Sequence, residues 1–450
     1  MLTLMLGLSI GATQVNAQQQ SQDAKLQMSL KEFIQYGLTH HRSVNIAENN
    51  IKNAKEQARE ALAGYLPQVA VNAELDFNAK LQQSIIPAGS FPGQTEEQRI
   101  TFGSKYASTQ SVQLDQKIYD QSLLTGLQAN KEYKQLSEMD AQKNKENLIY
   151  NISTAYYKIL VAQRNLELLE HNKAQFEKIL KVTQLQAEQG VVKKVDVKQV
   201  QVNLNNVLSQ ISVTTNDLTL ARNTLVNNIG LKQGAEVVLT DTARWLDGNP
   251  PVRNYDNFDY KSTIDYQQQK IQIHLDDINA RSIKNQALPV VSAFGRYGAN
   301  GFGQSSIGDA YKPLLDYSAI GVKVSWSLFT GFRRDAQYKQ AVITRNNAME
   351  NLSLNEELQN LQFQNAGAAV TRAQSTIITN KSNMDLANEV YENTTLQYSQ
   401  GITNLTDLLN AELSYREAQT NYINSLLDFY LADLDVRKAN GTLIQSLNLL

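Results

Sequence analysis

From Leu148 to Leu180 the apolar positions alternate spacings of four and three: Leu148, Ile152, Ala155, Ile159, Ala162, Leu166, Leu169, Phe176 and Leu180, with Lys173 the one polar interruption. That rhythm is the heptad seam of a helix packed lengthwise on another helix. It returns 211 positions later, from Gln359 through Phe363, Val370 and Ile377 to Tyr391, in a more polar copy. Gln189-Gly190, Asp196, Leu220 and Gly230 reappear at the same offset as Gln400-Gly401, Asp407, Leu431 and Gly441. The chain therefore holds two copies of one structural unit.

Proline placement outlines the unit. Prolines occur at 67, 87, 92, 250, 251, 289 and 313, leaving residues 93–249 and 314–450 without any. Proline inside a helix costs about 3 kcal/mol, so these stretches read as long helices. Helices are expected over about 121–189 and 332–400, 69 positions each. At ~1.5 Å per residue each would reach roughly 100 Å. Each ends on a glycine, Gly190 or Gly401, suited to a helix C-cap. Second helices follow over about 193–229 and 404–440, so each half projects an antiparallel hairpin.

Ahead of each hairpin the period drops to two. Val69, Val71, Ala73, Leu75 and Phe77 alternate with polar residues, as do Val112, Leu114 and Ile118. The second copy repeats this with Val291, Ala293 and Tyr297, then Ile320, Val322, Val324, Trp326 and Leu328. Strands are expected at about 68–78, 106–119, 290–297 and 318–329. The third is the weakest, because Phe294 falls on its polar face and Gly295 on its apolar one. Loops of about 79–105 and 298–317 join the strands, and the first copy is 12 residues longer from Pro67 to Ile118 than the second is from Pro289 to Leu328. Strands of ~9–11 residues with one apolar face suit a membrane β-barrel. A soluble sandwich sheet is the alternative. Four strands cannot close a barrel, and an open edge in lipid leaves backbone groups unpaired. Strands that cross a membrane would make the protein an obligate oligomer.

Composition narrows the choices. The 450 residues carry a net charge of −2, which offers no basic surface for nucleic acid. Cysteine is absent, which excludes disulfides, thiolate metal sites, a cysteine nucleophile and a lipid anchor on an N-terminal cysteine. Leu2–Ile10 form an apolar core and Val15-Asn16-Ala17 a cleavage site, so residues 1–17 read as a signal peptide. No Lys or Arg precedes Lys25, which points to a true start further upstream. A buried N-terminal strand is the alternative. No later run of ~18 apolar residues suggests a transmembrane helix.

The ordered set of motifs resembles the TolC family of outer-membrane efflux and secretion channels. It comprises Leu185-Gln186-Ala187-Glu188-Gln189-Gly190 with Asp196-Val197, and Leu396-Gln397-Tyr398-Ser399-Gln400-Gly401 with Asp407 to Glu412. Leu66-Pro67 and Leu288-Pro289 open strands, and Trp326-Ser327-Leu328-Phe329-Thr330-Gly331 leads into the second long helix. The resemblance covers about 26–441. It implies a mainly α fold with a membrane β-barrel portion: a homotrimer whose twelve-strand barrel continues as a periplasmic α-helical barrel. It implies a first repeat over 18–230, an equatorial linker over 231–257 and a second repeat over 258–450, with shorter helices near 26–64 and 258–287. It further implies a periplasmic adaptor, an inner-membrane pump of RND, ABC or MFS type, and a passive exit duct for efflux or type I secretion. A soluble periplasmic coiled-coil adaptor or scaffold is the competing reading. Family members often carry Asn-Pro in the first helical segment, where this chain has His40-His41-Arg42-Ser43.

No phosphate loop or HExxH motif occurs, so no enzyme, cofactor or metal site is expected. His40 and His41 read as surface or helix-start residues rather than ligands. Asp196 and Asp407, each six residues past its tip glycine, are candidates for a carboxylate ring at a periplasmic constriction. The competing role is a solvated aspartate favoured by the helix dipole. Where family channels often place a further acid, this chain has Asn410, and Gln199 is its first-copy counterpart, so the ring should be less acidic. By resemblance, Gly190, Val191, Gly401 and Ile402 are the turns that meet the adaptor. Tyr119, Trp326, Phe329 and Phe332 sit where strand gives way to helix, as an aromatic belt or as core packing. Arg333 and Arg334 would then face lipid headgroups or water.

Overall fold

A computed structural model describes residues 26–242, 245 and 258–446. The expected signal peptide and most of 243–257 lie outside the described residues. The first repeat runs β1 (Leu26–Met28), α1 (Leu30–His40), α2 (Arg42–Ala63), β2 (Gln68–Phe77), β3 (Gln82–Ile86), β4 (Gln98–Phe102), β5 (Tyr106–Tyr119), α3 (Gln121–Leu127), α4 (Ala129–Glu188) and α5 (Lys194–Asn228). After β6 (Val237–Leu239) come α6 (Ile264–Asn285), β7 (Val290–Gly303), β8 (Leu314–Ser325), α7 (Arg333–Ser399), α8 (Leu405–Ala439) and α9 (Leu443–Ser446).

The two repeats join edge to edge. One antiparallel sheet has the order β2-β5-β7-β8, so the contact between halves is β5 on β7. The register pairs Val69 with Leu114, Leu114 with Gly295, and Gly295 with Ile320, which puts the expected apolar residues on one face. Most of that face is bare, with Val71 76% exposed and Ile320 93%; at its outer end the turn at 307–311 covers it, and Ser108 is buried against Ala310. Paired residues share a face, so the polar residues line the other. The outer edges, β2 and β8, have no further partner strand among the described residues.

Several boundaries differ from expectation. The third strand runs on to Gly303, where glycine and asparagine had hidden the alternation. The fourth starts earlier, at Leu314, and ends at Ser325 rather than at 329. Its partner β7 begins at Val290, opposite Ser325, so Trp326 to Phe329 have nothing to pair with. The first loop is not structureless: β3 and β4 form a hairpin there, from two segments of only five residues each. The expected helix over 26–64 opens as a strand, because Leu26–Met28 pair in parallel with Val237–Leu239 of the linker. It then breaks at His41, whose extended backbone (ψ 132°) ends α1 and whose ring caps α2 by accepting from Ser43 N–H at 3.2 Å. The helix from 121 is interrupted at Gln128, two residues after Gly126.

The four repeated glycines have one physical cause. Gly190, Gly230, Gly401 and Gly441 all take positive φ, between 66° and 80°. At the two tips the flanking amides close a Schellman motif: Val191 N–H donates to the Gln186 carbonyl at 2.8 Å, and Ile402 N–H to Gln397 at 2.9 Å. Side chains with a Cβ rarely adopt that φ, so glycine ends the helix cleanly.

The core sits at mid-height, where α1 is pressed into the junction of the hairpins. Phe33, Ile34, Ile152, Tyr156, Ile159 and Leu225 are fully buried in one cluster there. Tyr157 stacks on Tyr430 at 4.6 Å, with Trp245 edge-on to both. A smaller cluster nearer the tips holds Phe176, Val200, Val207 and Leu408. Both heptad seams are occupied as expected, and Lys173 escapes to pair with Glu170 at 3.5 Å.

Phe33→Ala should cost about 3–5 kcal/mol, since it empties a fully buried site. A lower denaturant midpoint by circular dichroism checks this, with Ile46→Ala, at an exposed position, as the neutral control.

Candidate functional site: the hairpin tips and the strand–helix junction

Both candidate aspartates occupy the first turn of their helices. Asp196 is half-buried and accepts from the Lys193 backbone N–H at 3.0 Å. Asp407 is exposed and accepts from the Thr403 hydroxyl at 2.7 Å. The Asp407 backbone N–H in turn donates to Asn404 Oδ1, the cap of α8. Negative charge is favoured there by the helix dipole. The helix-start role is therefore present in the chain. Gln199 and Asn410 are exposed one turn further along, three residues from each aspartate on the same helix flank.

The tip turns present apolar side chains to solvent. Val191 is 69% exposed and Ile402 70%. Gly190 and Gly401 have open space where a side chain would sit.

At the other end, Tyr119, Trp326, Phe329 and Phe332 surround the passage from strand to helix. Phe329 and Phe332 are about three-quarters exposed and meet edge-to-face at 5.6 Å. Trp326 exposes its ring while its Nε1–H donates to the Ala287 carbonyl at 2.9 Å. None of the four is core. Arg334 donates to the carbonyls of Gln286 and Ser327, which anchors the turn. Phe332 takes left-handed φ of 60°, the one positive value at a non-glycine among the described residues.

One group escaped sequence reasoning. Glu412 is 6% exposed where α8 packs on α7 and α4. Beside it lies a cavity of about 530 Å³ bounded by Asn172, Tyr391, Tyr415 and Gln419. Burial pushes its carboxyl up to about 7, and Arg416, at 3.9 Å, offsets only part of that. The available signal was a carboxylate on the apolar stripe of α8, four residues after Leu408 and three before Tyr415. No group of three metal-ligating side chains occurs among the described residues, and His40 stacks on Tyr36 at 4.0 Å.

A carboxyl raised above its ordinary 4.5 costs stability as it ionises. The cost is absent below about pH 4.5 and complete above about pH 7. The unfolding midpoint should fall across that window, and Glu412→Gln should flatten the fall. A pH series of denaturation curves on both proteins checks this.

Comparison with known proteins agrees with this geometry. The family model described as outer membrane efflux protein matches residues 33–231 and 267–442, one span in each repeat. The outer membrane protein TolC of Vibrio cholerae serotype O1 is 23% identical over 354 residues, covering 74% of this chain and 76% of its own. The solved outer membrane protein VceC of Vibrio cholerae superposes with a TM-score of 0.72 at 17% identity, covering 92% of this chain and 96% of its own. A membrane protein from Pseudomonas aeruginosa gives 0.73 at 16% identity, covering 92% and 93%. At such identities the solved structures establish the shared fold.

Proposed function

The chain belongs to the outer membrane efflux protein family, and from that membership we propose that three copies close one barrel and form a passive exit duct across the periplasm and outer membrane. The observation that carries this is the four-stranded sheet with one bare apolar face and two unpaired edges, standing on hairpins far too long for a globular core. Lipid leaves no water to satisfy an open edge, so closure must come from other copies. Two copies would give eight strands (2 × 4), a barrel whose interior side chains fill the space. Three give twelve (3 × 4), wide enough for a lumen.

In this arrangement the apolar face meets lipid, and Tyr119, Trp326, Phe329 and Phe332 form the belt at its periplasmic boundary. The α4–α5 and α7–α8 hairpins form a tube with six tips. Asp196 and Asp407 ring its lower end and bias it toward cations, while Gln199 and Asn410 dilute that charge. Val191 and Ile402, beside Gly190 and Gly401, dock a periplasmic adaptor, which couples the duct to an inner-membrane pump of the RND, ABC or MFS type. Opening is a splaying of the tip hairpins imposed by those partners. The protein is not an enzyme and holds no cofactor in this scheme. Family membership and the bare strand face weigh against a soluble scaffold.

The chain should remain in outer membranes after a high-salt wash; release into the wash would overturn the membrane assignment. In planar bilayers, Asp407→Ala should raise single-channel conductance or weaken cation preference relative to the parent. Identical currents would remove Asp407 from the constriction.

A further inference from the structure

We propose that Gly321 and Gly298 set the free width of the barrel by giving Phe294 and Tyr317 a bed along the wall, so that neither ring stands in the lumen. This rests on the reading above, in which the polar sheet face lines the duct.

Phe294 pairs directly with Gly321 across β7 and β8, and Gly298 pairs with Tyr317 four residues further along β7. All four lie on the polar face, opposite Val291, Ala293, Ile320 and Val322. In both pairs the aromatic ring reaches across onto the glycine of the neighbouring strand. A Cβ built on Gly321 would lie 2.8 Å from the Phe294 ring tip, and one on Gly298 2.8 Å from the Tyr317 Cζ. Real Cβ atoms do not approach so closely. Glycine is thus the residue that lets each ring lie down, and the ring in turn covers the glycine's bare backbone.

The arrangement extends to the charged side chain between the two pairs. Arg296 is turned sideways, its Nε–H donating to Gln113 Oε1 at 3.2 Å. Gln113 in turn donates from Nε2 to Asp115 at 2.7 Å. Two aromatics and an arginine, the bulkiest residues on this part of the face, are all held against the sheet. A planar ring standing upright would project several ångströms into the path, once per copy. The consequence is steric: the barrel passes wider solutes than its side-chain content implies.

Gly321 is the cleaner test position, because only Phe294 intrudes there. A Cβ at Gly298 would also meet the Gln110 carbonyl oxygen at 2.5 Å. The readout is the largest poly(ethylene glycol) that enters when added from the extracellular side of a planar bilayer, which senses the barrel rather than the tip. Channel activity of the parent tests the duct reading by itself. Given an active parent, Gly321→Ala should lower the size limit, and Phe294→Ala with Gly321→Ala should restore it. An unchanged limit in assembled Gly321→Ala trimers overturns the inference. If Gly321→Ala does not assemble, Phe294→Ala alone decides. Removing a ring that lies flat leaves the limit where it was; removing one that stands in the lumen raises it and overturns the proposal.

Discussion

Every other feature of this chain depends on how the backbone groups along β2 and β8 find partners. A peptide N–H or C=O left bare in hydrocarbon costs several kcal/mol, and each edge carries a row of them. In the proposed duct the sheet is an incomplete object by itself: its apolar face meets lipid, and further copies close its edges. The helices answer to the same demand. They leave the sheet at one end, so a closed barrel forces their lower ends into a tube of matching girth.

The helical part follows a second rule, that a long helix must be both straightened and stopped. Straightening comes from the heptad seam, which gives α4 and α7 a partner along most of their length. Stopping comes from the Schellman turns at Gly190 and Gly401, which reverse the chain within five residues. The mid-height core adds the third element. There α1, wedged between the hairpins, and the short parallel pair β1–β6 tie the start of the chain to the linker between the repeats.

Much of this was legible in the sequence because it is periodic. The seams, the strand alternation and the repeated glycines each recur, so a single misleading residue could not hide them. What stayed hidden was set by pairing rather than by local pattern. Trp326 and Leu328 continue the alternation of β8 perfectly well, yet leave the sheet because no residue of β7 stands opposite. The β3–β4 hairpin has strands of five residues, too short to stand out as a period, and is held by backbone pairing. Phe294 looked misplaced on the polar face until its cross-strand neighbour proved to be glycine. At the tips, sequence placed Asp196 and Asp407 correctly at helix starts, but Glu412 was missed. Its unusual setting arises from α4 and α7, far away along the chain.

The edge-to-edge contact of β5 and β7 has a consequence for how the barrel comes to exist. Were each repeat a separate protein, every seam between hairpins would need a diffusive encounter between molecules. Tethering two repeats in one chain makes every second seam a loop closure at high effective concentration, whose entropic penalty grows only slowly with loop length. Covalent linkage also frees the repeats from being identical. One outer loop could lengthen and one seam turn polar, because in the proposed trimer each change would appear at three places around the ring instead of six.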